Sequence, residues 1–338
     1  MRVPDAHGEP NVTKTENILY LSSRDLDEIG LSMAEIVPIL EEMFRLKAQG
    51  GTVLPPKIFF HRNGPRFYSS MVSSAPALGY AGCKWQSGDP DNPTRGLAYI
   101  QGLFIMSEDA TGQPVAIMDS KWVTGNRTAA ASALAAKHLA RKGASTMAIL
   151  GCGLQGRKNF EALKAVLPGL ARCQAYDVVP EREAAFVREM NGRWGVSVEG
   201  KGSPEAAVRG ADVVITAGPI EDTRRATLQA DWLAPGSLTV TLDYDSYVTD
   251  EAIAAADLVL TDDRGQIEDA RLHEGKFTGV TRIDAELGEL LGTGKGRRTS
   301  DDQRILVFNL GIALEDLATG IEILKRARER RVGSLLRP

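Results

Sequence analysis

The sequence predicts an α/β protein of two domains: a doubly wound parallel sheet in the middle of the chain, and an α+β domain assembled from both chain ends. Three observations predict it. At 338 residues the chain exceeds the size at which one hydrophobic core stops growing. From Thr146 onward, short and continuously apolar strands alternate with helical stretches, the grammar of a parallel sheet covered on both faces. The last helix, around Ile312 to Arg331, carries apolar residues (IALEDLATGIEILKRA) suited to docking back on the first domain, which makes that domain discontinuous. The expected boundaries are a flexible polar leader over 1–16, a first domain over 17–125 and 312–338, and a second over 126–311.

Taken in order, the first element is a strand-like ILYLS at Ile18 to Ser22, followed by a helix from about Ser32 to Gln49 that Gly50 and Gly51 stop. The segments KIFFH, RFYSSMV, GYAGCKW and LAYIQGLFIMSED read as strands and turns. The turn Asp109 to Gly112 leads into PVAIMDS, a hairpin by its turn chemistry. An alanine-rich helix follows from Thr124, read as its cap, to Lys142, with Gly143 as its stop. Then come TMAILG, QGRKNFEALKAV, CQAYDV, EREAAFVREMNGRW and VSVEG. The strands ADVVITAG, GSLTVTLDYD, ADLVLTDD and RILVFNLG complete the set.

Composition excludes several function classes. A formal net charge of -4 leaves no basic surface of the kind that draws nucleic acid or anionic lipid, so a small-molecule partner is expected. No run of about 18 apolar residues suggests a membrane span. The first sixteen residues lack the basic-then-apolar order of a signal peptide. Cys83, Cys152 and Cys173 have no CxxC spacing and no nearby histidines, which argues against a disulfide framework or a zinc site and fits a reducing, cytoplasmic setting.

The most informative motif is GCGLQG, Gly151 to Gly156. GxGxxG alone is a weak signal, but here it stands directly after an apolar strand and directly before a helix. Gly151 permits the tight turn, Gly153 lets backbone approach a pyrophosphate, and Gly156 lets the helix lie close to the strand. The helix start, at Leu154 and Gln155, presents free N–H groups to phosphate. A Rossmann dinucleotide-binding domain is the expectation. An acid about 20 residues on binds the ribose hydroxyls in such domains, and Asp177 fits. Its charge repels a 2'-phosphate, favouring NAD, while nearby Arg182 softens that preference and leaves NADP possible.

Upstream of that turn, KWQSGDPDNPTRG, MSEDATGQPVAIMD and TGNRTAAASALAAKHLAR follow one another, and NLGIALEDLATG stands near the carboxyl end. Together these closely resemble the ornithine cyclodeaminase and mu-crystallin family, over about Ile18 to Lys325. The resemblance implies a dimerising substrate domain made from both chain ends, an inserted Rossmann domain, and hydride transfer at the carbon beside an amine and a carboxylate. By the same resemblance Lys84 and Arg127 are substrate-carboxylate ligands, and Thr128 lies near the cofactor phosphates. Lys57 stands where the family usually has arginine; it supplies charge without the planar fork. Read without the resemblance, Lys84 is a surface strand residue and Arg127 a helix-start ion pair.

Removing hydride from an amino acid's alpha carbon requires a neutral amine and a group that stabilises the iminium charge. The family's acid for this follows the strand that here reads SLTVTLDYDSYVTD, which places it at Asp245, with Asp243 as the alternative. Cyclodeaminases carry Asp-x-Pro-Gly-Lys at this point, whereas this chain has Asp245 followed by Ser, Tyr, Val and Thr249. That departure counts against ornithine cyclisation and for an amino-acid dehydrogenase or imine reductase. Cyclodeaminase activity and a crystallin-like nucleotide-dependent binding role remain the alternatives. His61, His138 and His273 are isolated in sequence; of these only His61 lies close to a site residue, Lys57.

Overall fold

The computed structural model describes residues 17–62, 66–221 and 223–337, so the leader read over 1–16 lies outside the described residues. The amino-terminal elements are strand β1 (Ile18–Leu21), helices α1 (Ser23–Ile29) and α2 (Met33–Ala48), and strands β2 (Ile58–His61), β3 (Phe67–Ala75), β4 (Tyr80–Gly88), β5 (Ile100–Glu108) and β6 (Pro114–Asp119). With β15 (Ser334–Leu336) they form a sheet ordered β15-β1-β6-β5-β4-β3-β2. Strands β2 to β6 run antiparallel to one another, while β6 pairs parallel with β1, and burial along β3 alternates, so one face of this sheet is covered and the other is not. The Asp109–Gly112 turn joins β5 to β6 as expected, with Gly112 at φ +71° and its N–H donating to the Glu108 carbonyl at 2.9 Å.

Helix α3 (Ser120–Leu139) leads out of that sheet. The sequence reading had Thr124 as its cap, but the cap lies five residues earlier, where the Asp119 carboxylate accepts from the Trp122 N–H. Thr124 is therefore inside the helix, one turn in, and its side chain is free for another use.

The second sheet comprises β7 (Thr146–Leu150), β8 (Arg172–Tyr176), β9 (Ser197–Gly200), β10 (Val213–Thr216), β11 (Leu238–Thr241), β12 (Leu258–Thr261), β13 (Ala285–Glu286) and β14 (Ile305–Phe308), ordered β13-β12-β14-β11-β10-β7-β8-β9 and parallel throughout. Helices α4 (Leu154–Val166), α5 (Pro180–Met190), α6 (Pro204–Val208), α7 (Asp250–Ala254), α8 (Arg264–Glu274) and α9 (Leu287–Thr293) connect them. Strands β10, β11 and β14 are buried at every residue, the mark of a sheet covered on both faces. From β7 the chain adds β8 and β9 on one side and then crosses to β10 on the other. The switch point between β7 and β10 is where such sheets bind ligands.

Helix α10 (Ala313–Arg330) returns to the first sheet and lies against α2, α3, β3 and β4. Helix α1 and strands β13 and β15 were not foreseen: each is seven residues or shorter, too brief to show a period.

Candidate active site

The glycine turn lies at the switch point. Gly151 has φ +105°, and a Cβ there would fall 2.5 Å from the Ala217 carbonyl oxygen at the end of β10. At Gly156 a Cβ would collide with the Gly151 carbonyl and come within 3.1 Å of the Ile149 side chain, so only glycine lets α4 start this close to β7. Gly153 is different: a Cβ there would meet nothing within 4 Å, and no side-chain bond caps α4 among the described residues. The turn therefore leaves an open approach to uncapped amides at a helix start, the arrangement that receives a phosphate. The Asp177 carboxylate lies beside it, accepting from the amides of Cys152 at 2.8 Å and Val179 at 2.9 Å. These residues fit a dinucleotide. Leu154 is half exposed, and Gln155 donates from Nε2 to the Thr124 carbonyl at 3.2 Å.

Thr124 connects this turn to a second cluster, since its hydroxyl accepts from Lys84 Nζ at 3.1 Å. Burial alternates along β4, with Lys84 fully buried and its neighbour Trp85 exposed on the other face, which excludes the reading of Lys84 as a surface residue. Lys84 Nζ also reaches Asp316 at 2.9 Å. Arg127, two turns into α3, donates from Nε to Asp316 at 3.0 Å and from Nη1 to Glu315 at 2.6 Å. The ion pair foreseen for Arg127 is thus present, but buried and with two carboxylates. Gly311, at φ +74°, makes room for the guanidinium; a Cβ there would collide with it. Lys57 arrives from the loop before β2, its Nζ donating to the Leu310 carbonyl at 2.7 Å and lying 5.0 Å from the centre of the Tyr244 ring. The structure therefore brings Lys57, Lys84 and Arg127 together. Thr128 follows Arg127 on α3, and its carbonyl accepts from Asn309 at 3.4 Å.

Asp262, Glu315 and Asp316 are the carboxylates that oppose these cations. Asp262 follows β12 and accepts the Gly311 N–H at 2.6 Å. None of the three was singled out from the sequence. The one signal was the Glu-Asp pair in the first turn of a helix whose other face is apolar. Burial pushes the Lys84 ammonium down to about 7, with Arg127 and Lys57 adding to the shift against Asp316. Burial likewise brings Lys57 down to about 8, and lifts Asp262 to about 6 and Glu315 to about 8. For Arg127, burial works against the charge, yet Asp316 and Glu315 outweigh it and hold the guanidinium ionised.

Asp243 and Asp245 lie in the loop after β11, both buried. Asp243 accepts from the Thr216 hydroxyl at 2.7 Å and the Gly218 N–H at 3.0 Å, and burial raises it to about 7. Asp245 accepts the Phe277 N–H at 2.8 Å and faces Arg224 at 3.3 Å through Oδ2, while its Oδ1 is buried with no hydrogen-bond partner among the described residues. Of the histidines among the described residues, His61 is exposed on β2, His138 pairs with Glu41 at 2.9 Å, and His273 lies 3.6 Å from Asp269.

The chain is similar to known proteins over nearly its whole length. The alanine dehydrogenase of Archaeoglobus fulgidus is 31% identical over 333 residues, covering 94% of this chain and 98% of its own. The Thermococcus litoralis Delta(1)-pyrroline-2-carboxylate reductase, solved in complex with NADH and L-proline, superposes with a TM-score of 0.85 at 26% identity, over 94% of this chain and 99% of that one. An archaeal alanine dehydrogenase dimer with bound NAD superposes at 0.84 with 30% identity, over 95% and 99%. The family model for ornithine cyclodeaminase/mu-crystallin matches residues 20–331, and with near full-length relatives at this identity it follows that the chain belongs to the ornithine cyclodeaminase/mu-crystallin family.

Proposed function

We propose that the protein is an NAD(P)-dependent amino-acid dehydrogenase or imine reductase acting at the alpha carbon of a small amino or imino acid. The observation that carries this reading is Thr124, which touches the amino-terminal turn of α4 with its carbonyl and the buried cation cluster with its hydroxyl. A phosphate-receiving turn and a carboxylate-receiving cluster are thus one residue apart. The relatives with bound nicotinamide cofactor support the same reading.

On this reading Gly151, Gly153, Leu154, Gln155 and Gly156 hold the pyrophosphate, Thr128 lies near it, and Asp177 holds the adenosine ribose and favours NAD over NADP. A nicotinamide cofactor held there would supply the hydride chemistry. Arg127 grips the substrate carboxylate with the donors its own acids leave free, and Lys84 and Lys57 add charge to that grip and fix the alpha carbon. Asp245 takes the nitrogen: its unpartnered oxygen receives an N–H from the substrate and its charge stabilises the iminium. The cofactor-binding portion is assigned to 126–311 and the substrate-binding portion to 17–125 with 312–338.

The assembly we propose is a homodimer. Phe60, Tyr68 and Trp85 form a stacked aromatic ladder on the uncovered face of the first sheet, with centroids 5.3 to 5.9 Å apart, and Phe60 and Trp85 are nearly half exposed. A second copy is the partner in the archaeal dimer of the same fold. Three unpaired cysteines suit the cytoplasm. No helix among the described residues is long and apolar enough to cross a membrane.

The test is purified protein with NADH or NADPH against pyruvate plus ammonia, pyrroline-2-carboxylate and piperideine-2-carboxylate. Cofactor oxidation is expected with at least one, and Asp245→Asn is expected to abolish it while NAD binding survives. Silence across the panel from folded, NAD-binding protein refutes the reading. Proline and ammonia from ornithine, with no net change in nicotinamide absorbance, would establish the cyclodeaminase alternative instead.

A further inference from the structure

Between the two aspartates stands Tyr244, fully buried, with φ at +60° in the left-handed region that bulky side chains rarely enter. Its neighbours pin the turn from both sides, Asp243 to Thr216 and Gly218, and Asp245 to the Phe277 N–H. Phe277 is itself left-handed at φ +55°; its ring lies 5.3 Å from that of Tyr244 and meets Phe308 edge-on at 5.3 Å. The tyrosine ring is thereby held in one orientation, with the Lys57 ammonium over its face. A bulky outlier that persists because its surroundings over-determine it is the kind of strain from which a function is inferred.

We propose that Tyr244 is the positioning residue of Lys57: its ring face holds the ammonium, charged and aimed, at the place where a substrate carboxylate is received. This rests on the reading of Lys57 given above. A lysine is a single charged point on a flexible stem, so its aim must come from its surroundings. Here the Leu310 carbonyl supplies one contact and the negative face of the ring another, a cation–π contact that gains strength where water is excluded. The other charged groups facing Lys57 come from five elements. Asp262 after β12, Glu274 on α8 and Glu315 on α10 favour its charge, while Arg127 on α3 and Lys84 on β4 oppose it. Burial has already brought Lys57 down to about 8, so loss of the ring removes a contact that favours the charged form.

The experiment compares Tyr244→Phe, which keeps the ring face, with Tyr244→Leu, which removes it. Tyr244→Asn serves if the leucine variant fails to fold, because asparagine tolerates the left-handed backbone. Lys57 is followed directly by NMR of side-chain amines in 15N-lysine-labelled protein, its signal assigned by its loss in Lys57→Gln. The expected result is an unchanged Lys57 titration in the phenylalanine variant and a midpoint at least half a pH unit lower in the leucine or asparagine variant. KM for the carboxylate substrate then rises several-fold with NAD affinity unchanged, and the same substitution adds nothing in a Lys57→Gln background. An unmoved Lys57 titration overturns the proposal, as does equal damage from the phenylalanine variant. If Lys57→Gln leaves KM unchanged, the carboxylate-binding reading of Lys57 falls, and the titration separately shows whether Tyr244 holds the ammonium.

Discussion

Replacing Glu315 by glutamine is expected to stabilise the protein by an amount that grows with pH. The side chain is 1% exposed; Oε2 accepts from Arg127, while Oε1 has no hydrogen-bond partner among the described residues and Leu40, Met43, Phe44, Ile312 and Leu314 surround it. Burial is the largest influence and raises this acid from 4.5 to about 8, Arg127 opposing the shift and Asp262 and Asp316 adding to it. Between those two values the folded state keeps a proton that the unfolded chain has lost, so stability falls as pH rises through the window. One proton is worth about 1.4 kcal/mol per pH unit, so the gap between the two proteins widens as pH rises through the window. Glutamine has no proton to lose and keeps an oxygen for Arg127. Urea unfolding of both proteins at pH 5, 6, 7 and 8, followed by tryptophan fluorescence, measures the gap. A gap that stays flat, or that turns to favour glutamate as pH rises, refutes the reasoning and means that Glu315 is ionised throughout.

Three further outcomes are expected. Gly156→Ala pushes the start of α4 away from β7 and weakens NAD binding at least tenfold, about 1.4 kcal/mol, by calorimetry; unchanged affinity would show that the turn does not hold the cofactor. Asp177→Ser removes the carboxylate beside the turn and narrows the preference for NAD over NADP by roughly tenfold, or about 1.4 kcal/mol, measured as the ratio of the two dissociation constants. Trp85→Glu places a charge in the aromatic ladder and shifts sedimentation from dimer to monomer; a variant that sediments like the parent removes this face as the interface.

Local chemistry made much of the fold legible. The stop of α2, the Asp109–Gly112 turn and the glycine turn before α4 each depend on residues within a few positions of one another, and local spacing is what a sequence displays. The parallel sheet followed from strands apolar at every position. By contrast, the start of α3 was misread because Thr124 and Asp119 both suit a cap, and only the backbone shows which of them accepts the amide.

The sequence by itself determined the class of protein: an α/β chain with a nucleotide turn, a small-molecule partner, and a set of cations and acids from which a site is built. The tertiary structure alone decided which charges face each other. Lys84 and Asp316 are 232 positions apart, and Lys57 and Leu310 are 253 apart. Whether a buried lysine is cancelled, held or left near neutrality depends on desolvation and on charges a few ångströms away, and neither is encoded at the position of the lysine itself.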